Sequence, residues 1–472
     1  MTQSSSQNQG VTDGKDATHA AYMLKGNLRE GSITRHLTRL TVPMIWGIAA
    51  IISFQLVDIY FIGKLGTEAL ASITFTFPFT YAFLTLMISA GIAMSSVFSR
   101  LIGAQGDKET RSRTVMHGMM FTLVLTLVLT VIGYVLVDPI FKLMGANEAQ
   151  LGMIHEYLDV WFFSVPFLIV PMVGNSALRA AGDAVWPAII MTLIAIINIV
   201  LDPFFIFGLY GFPEMGIAGA AMATVIANAV AFFVGLYIYI VKRELTSLCW
   251  IFKIKHIMET IKSMAVIIVP VSITQLIQPV VNAVIIALLA NYGSEAVAGM
   301  GVASRVEAFS FIVLMALSTG LSPIVGQNFG ARLFDRVKET MRKAIWFACL
   351  WSFAIAIILL FAGQFIAGLF SSEPEVIRVA YLYFMIVPIS YAFANLVTGW
   401  SSAFNAMGMP KRSLVMLVVK MIVLLIPSVY VGSHFGIWGI FLAIACVNII
   451  AGAFFHYNSK FFLIQYASEN GQ

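Results

Sequence analysis

A chain of 472 residues with 60% hydrophobic and only 11% charged residues is not a string of soluble domains, which average about 25% charged residues. Its formal charge of +5 would suggest nucleic acid in a soluble protein, but no polar block is long enough to fold as one. Three scattered cysteines (Cys249, Cys349, Cys446) and the lack of phosphate-cradling or nucleophile motifs exclude a disulfide frame, a metal-ligand spacing, ATP-driven pumping and enzyme chemistry.

Residues 1–36 are polar and rich in Ser, Gln and Gly, with no apolar core for a signal peptide. They read as a disordered cytoplasmic tail ending in an amphipathic lead-in, "SITRHLTRL". Twelve apolar runs follow, near 38–64, 70–99, 114–137, 152–180, 185–209, 216–241, 262–290, 297–326, 340–370, 376–406, 412–433 and 437–463. Each is about 20–30 residues long, enough to cross roughly 30 Å of hydrocarbon. All are predicted helices, because an open sheet would leave backbone groups unpaired in lipid. The expected fold is therefore an all-α polytopic membrane protein.

Polar residues stand out along this order. The first span holds Pro43 and then Asp58, within "LVDIYFIGKLG". The fourth holds Asn175, and the fifth, "NIVLDPFF", holds Asn198 and Asp202. The sixth begins "GIAGAAMATVIAN" and holds Thr224. Arg305 and Glu307 fall in the eighth span and Lys420 in the eleventh. Aromatic and methionine-rich stretches such as "FTFPFTYAF" suit adaptable binding of apolar or cationic ligands, although most such side chains in any membrane protein face lipid or core.

With the N-terminus inside, 23 of the 28 Lys and Arg residues fall on the cytoplasmic side. The positive-inside rule then puts both termini in the cytoplasm of a multi-pass protein, expected in the cell inner membrane. The chain also repeats itself. "LGTEALA" at 65–71 returns as "YGSEAVA" at 292–298, and the same shift of 227 carries Pro43 onto Pro270 and Gly103 onto Gly330. Asn228 matches Asn448, and Gly182 matches Gly408. The expected organisation is an N-lobe over 37–241, a basic linker over 242–261, a C-lobe over 262–463 and a tail over 464–472. Two parallel halves with a substrate between them are a transporter design.

The carboxylates break the repeat. Asp58 maps onto Ile285, and Asn198 and Asp202 map onto Leu424 and Ser428. An acid needed only to hold a six-helix unit together would have a counterpart. Asn198 and Asp202, four apart, share one helix face, and Pro203 frees the carbonyl of Ile199 beside them. Asp58 and Asp202 lie at similar depth below the outer surface, with Thr224 in the next span. A carboxylate drawn out of water beside a second one holds a proton more tightly than in water, so the cluster can exchange a proton near neutral pH. The same oxygens of Asp58, Asn198, Asp202 and Thr224 also suit sodium. Glu307 and Lys420 are read either as a C-lobe charge pair or as substrate contacts, with Arg305 turned from Glu307 by its spacing of two.

"LVDIYFIGKLG", "LRAAGDAVWP", "NIVLDP" and the paired "GIAG" and "GIWG" starts resemble the MATE (multidrug and toxic compound extrusion) transporters, in their DinF-like branch, across nearly all twelve spans. The resemblance implies two six-helix lobes in a V. It also implies export of organic cations or hydrophobic drugs in exchange for H+ or Na+, by a monomer without a cofactor. It places the N-lobe cation pocket on Asp58, Asn198, Asp202 and Thr224, with Asn175 as a further member, and makes Pro43 the point where the first span bends. A flippase of lipid-linked saccharide or phospholipid is the alternative; it would need a cationic central cavity, for which only Arg305 and Lys420 are available.

Overall fold

A helix runs through each of the twelve apolar stretches, with ends within a few residues of those expected for most of them. The computed structural model describes residues 27–253 and 255–470, apart from the side chains of Thr67, Leu70 and Ala71. The N-lobe comprises α1 (Ile33–Gly63), α2 (Thr67–Gly103), α3 (Lys108–Leu143), α4 (Glu148–Ala180), α5 (Val185–Phe207) and α6 (Ile217–Lys242). The C-lobe comprises α7 (Ile257–Ala290), α8 (Ser294–Gly330), α9 (Phe334–Gly368), α10 (Pro374–Ala406), α11 (Pro410–Ser433) and α12 (Ile437–Asn470). All twelve are long and apolar enough to cross a membrane. Local chemistry sets many of their ends. Asn147 and Gln150 form a reciprocal capping box at the start of α4, with bonds of 2.8 and 3.1 Å. Asp107 accepts from the Thr110 amide at the start of α3, which holds its carboxyl below the usual range. Gly182 and Gly408, at φ +84° and +78°, make the same left-handed turn between α4 and α5 and between α10 and α11.

With an even number of spans, residue 27 and the end of α12 share one end of the bundle, here the terminal end. The two lobes meet there. Ser96 donates to the carbonyl of Asn405 at 2.5 Å, and the duplicated glycines form the crossing itself. A Cβ on Gly103 would meet the Gln327 and Ala331 backbone of α8, and one on Gly330 would meet the Arg100 backbone of α2. Only glycine permits so close an approach at both positions.

The cores are exchanged at this end. Leu37, Leu40 and Met44 of α1 are buried with Leu317, Leu321 and Trp400 of the C-lobe. Met264, Ile267 and Val271 of α7 are buried with Met94, Phe98 and Val115 of the N-lobe. Farther along, Ile62 returns to an N-lobe cluster and Ile285 to a C-lobe cluster. Pro43 and Pro270 lie near the two points of transfer.

Residues 27–31, expected to belong to a disordered tail ahead of the amphipathic lead-in, are ordered. Residues 27–32 form a strap across the terminal end, and Ile33 already begins α1. Leu28 is fully buried. Its N–H donates to Oε1 of Gln327 at 3.0 Å, and its carbonyl accepts from Nδ2 of Asn328 at 3.1 Å. Gln327 in turn donates to the carbonyl of Ala180 in the N-lobe at 2.7 Å, and Arg336 reaches the carbonyl of Gly31 at 3.1 Å. These bonds replace the water that a free tail would need for its backbone. At the other end of the chain, α12 continues through 464–470. The remainder of both expected tails, 1–26 and 471–472, lies outside the described residues. The linker packs as well: Trp250 is buried and donates to Oγ of Ser112 at 3.0 Å.

Candidate functional site

The inward stripe of α5 explains how a carboxylate comes to be buried. Ile190, Ile194, Asn198, Asp202 and Ile206 recur every four residues and all are buried, so the polar pair rides on the face that packs into the N-lobe. Asn198 is 1% exposed and Asp202 0%. Pro203 stays within the continuous helix and, having no N–H, releases the Ile199 carbonyl beside them. A Cβ at Gly219 would lie 2.5 Å from the carbonyl carbon of Phe205, so its absence lets α6 close tightly on α5 at this level.

Asp58 lies five residues before the end of α1, and Asp202 five before the end of α5. Both therefore sit about 7.5 Å inside the far end of the bundle at 1.5 Å per residue. Asp202 lies within electrostatic reach of Asp58, and Tyr157 of α4 within reach of both. No cationic side chain acts on either carboxylate among the described residues. Lys64, the nearest lysine along α1, stands 4.8 Å over the Tyr60 ring. Thr224 orients the amide between them and α6. Its hydroxyl donates to the Ala220 carbonyl at 3.1 Å and so accepts from Nδ2 of Asn198 at 3.0 Å. That bond fixes the amide and leaves its oxygen free. Four buried acceptor atoms thus have no hydrogen-bond partner among the described residues: Oδ1 of Asp58, Oδ1 of Asn198, and both carboxylate oxygens of Asp202. An all-oxygen donor set of this kind fits a proton or a hard monovalent cation.

The structure brings Asp58, Asn198, Asp202 and Thr224 together and separates Asn175 from them. Asn175 accepts from the Tyr239 hydroxyl at 2.9 Å, near the terminal end of α4. Along that helix it is eighteen residues, about 27 Å, from Tyr157. It ties α4 to the end of α6. Tyr157 is the member that sequence reasoning missed, since a tyrosine in an apolar span carries no signal of its own. Pro43 borders an apolar groove of about 510 Å³ lined also by Trp46, Ala188, Ile189 and Thr192, with no titratable group. That groove has the character of a lipid-facing surface, remote from the carboxylate chemistry.

In the C-lobe, the Tyr383 hydroxyl donates to Oε2 of Glu307 at 3.1 Å. Tyr391, 2% exposed, lies within electrostatic reach of both Glu307 and Tyr383. Lys420, 3% exposed, acts on Glu307 from α11, where Val419–Leu425 form a π-helical segment. Arg305 is exposed on α8, apart from this group.

The MatE family model matches residues 43–204 and 270–431, two stretches offset by the 227 residues of the internal repeat. The chain is 36% identical to the FAD transporter of Shewanella oneidensis, over 91% of this chain and 95% of that protein. It is 27% identical to the probable multidrug resistance protein YoeA of Bacillus subtilis, over 89% and 92% of the two chains. Among solved structures, the Vibrio cholerae MATE transporter VcmN in its bent form aligns with a TM-score of 0.86 at 29% identity, covering 92% of this chain and 98% of that one.

Proposed function

This chain belongs to the MATE family of ion-coupled membrane transporters, and from that premise we propose that it is an antiporter of the DinF-like type, exporting organic cargo against H+ or Na+ bound at its N-lobe carboxylates. One observation carries the reading: the four buried acceptor atoms of Asp58, Asn198 and Asp202 for which the described residues supply no donor. A buried acceptor left alone costs about 1–3 kcal/mol, more when charged. The pocket is therefore at rest only with a proton or ion in it, and its occupancy follows the gradient. In this reading Asp58 and Asp202 hold the charge, the Asn198 oxygen completes the set, and Thr224 orients Asn198.

Transmission follows from α1. Its far half carries Asp58 in the N-lobe, while its first half is buried in the C-lobe core. A change of occupancy at Asp58 bends α1 near Pro43 and shifts the interlobe contact. With both termini cytoplasmic in the inner membrane, the sealed terminal end faces inward and the pocket faces outward. Polar residues on exposed faces, Gln55, Thr74 and Tyr81 of the N-lobe and Gln278, Asn282 and Arg305 of the C-lobe, suit a wetted cleft better than lipid. That cleft is the cargo path of a transporter working as a monomer.

Organic cations and apolar drugs are the first cargo class; the Bacillus subtilis relative is named a probable multidrug resistance protein. A second cargo reading, FAD, is favoured by the Shewanella oneidensis relative, which is 36% identical against 27%. The test is efflux from proteoliposomes with ethidium and FAD as alternative cargoes, under an imposed pH or sodium gradient. Transport driven by a pH gradient without sodium identifies H+, and the converse identifies Na+. Wild-type rates in both Asp58→Asn and Asp202→Asn would remove the pocket from the mechanism.

A further inference from the structure

The internal repeat assigns a role to Lys420. α4 and α10 have the same length and their ends correspond at an offset of 226, Glu148 with Pro374 and Ala180 with Ala406. Tyr383 is therefore the C-lobe counterpart of Tyr157. Each tyrosine faces acid: Tyr157 lies within reach of Asp58 and Asp202, and Tyr383 bonds Glu307. The acid enters from a different helix in the C-lobe, because Glu307 on α8 corresponds at the 227 offset to Thr80 on α2. The decisive contrast is the cation. None acts on the N-lobe acids, whereas Lys420 acts on Glu307 without forming a contact ion pair among the described residues. Its counterpart at offset 226 is Ile194, on the inward stripe of α5. The π-helical segment at Val419–Leu425 inserts an extra residue into the turn that presents Lys420, a device that recurs at functional sites.

We propose that the Lys420 ammonium is a tethered cation that fills, from within the chain, the C-lobe counterpart of the N-lobe pocket, so that Glu307, Tyr383 and Tyr391 form a latent monovalent-cation site closed to exchange. Ion coupling is thereby confined to one lobe; the inference rests on the N-lobe reading above. Without Lys420, Glu307 is a buried carboxylate facing only two tyrosine hydroxyls and the space the ammonium had filled, and it recruits a proton or sodium ion to balance its charge.

The test counts cations taken up at the carboxylates of the purified full-length protein, by the infrared band of protonated carboxyl groups without sodium and by equilibrium binding of radioactive sodium at neutral pH, because Lys420→Met itself removes one proton from any potentiometric count. Lys420→Met is expected to bind one more cation per chain than wild type. Adding Glu307→Gln removes the surplus, and Lys420→Arg keeps the wild-type count. The surplus persists when Asp58→Asn and Asp202→Asn are added, because it arises in the other lobe. An unchanged count in Lys420→Met, or a surplus that survives Glu307→Gln, overturns the proposal. If Lys420→Met does not fold, Lys420→Gln is read by the same comparison. Failure of the N-lobe reading appears separately, as a wild-type count in the Asp58→Asn, Asp202→Asn double variant.

Discussion

Asp202 is held in place by the four-residue periodicity of α5, so its replacement separates function from folding. Asp202→Asn keeps the shape and removes the charge. Transport is expected to fall to background while the thermal unfolding midpoint stays level or rises, since a neutral amide is less costly to bury than a carboxylate. Tyr157→Phe removes one hydroxyl near both carboxylates and is expected to weaken ion binding roughly fivefold, about 1 kcal/mol, with cargo binding unchanged. An ion titration of transport rate checks the first half and cargo binding at saturating ion the second. At this scale the sequence is highly legible wherever a polar residue interrupts an apolar stretch: Asp58, Asn198 and Asp202 announce themselves because hydrocarbon penalises them. Tyr157 does not, because its value comes from which helices converge on it. Asn175 misleads although a usable signal exists, for it lies near the opposite end of its helix from the level of Asp202.

At the scale of the helix, two prolines mark where α1 and α7 pass between cores. Pro43→Ala and Pro270→Ala restore a backbone donor and stiffen the helix. Each is expected to slow turnover while ion binding measured at equilibrium is retained, which separates bending from binding. Gly103→Val sets a branched side chain against the backbone of α8 and is expected to cost about 1–3 kcal/mol of stability, read by thermal unfolding, while pushing the lobes apart. The repeated prolines and glycines are visible in the sequence, as is the boundary of each span to within a few residues. The exchange of cores is not. Apolar periodicity shows that a helix buries one face, but it does not say which lobe covers that face.

For the molecule as a whole, the strap closes one end. Gln327 links it to both lobes at once, through Leu28 and through Ala180. Gln327→Ala is expected to loosen the terminal end and to raise the labelling rate of a Ser96→Cys reporter by a membrane-impermeant maleimide; an unchanged rate would dissociate the strap from closure. Composition alone gives this segment the look of a loose tail, because a few mixed polar and apolar residues hold no periodicity and their order comes from partners some 300 positions away. The practical consequence concerns how such a protein is handled. A reporter or purification handle joined directly ahead of residue 27 is attached to the strap that bonds both lobes and is expected to slow turnover, whereas the same handle after α12 is attached to a helix end. Assays that compare the two attachments measure the latch as much as the label.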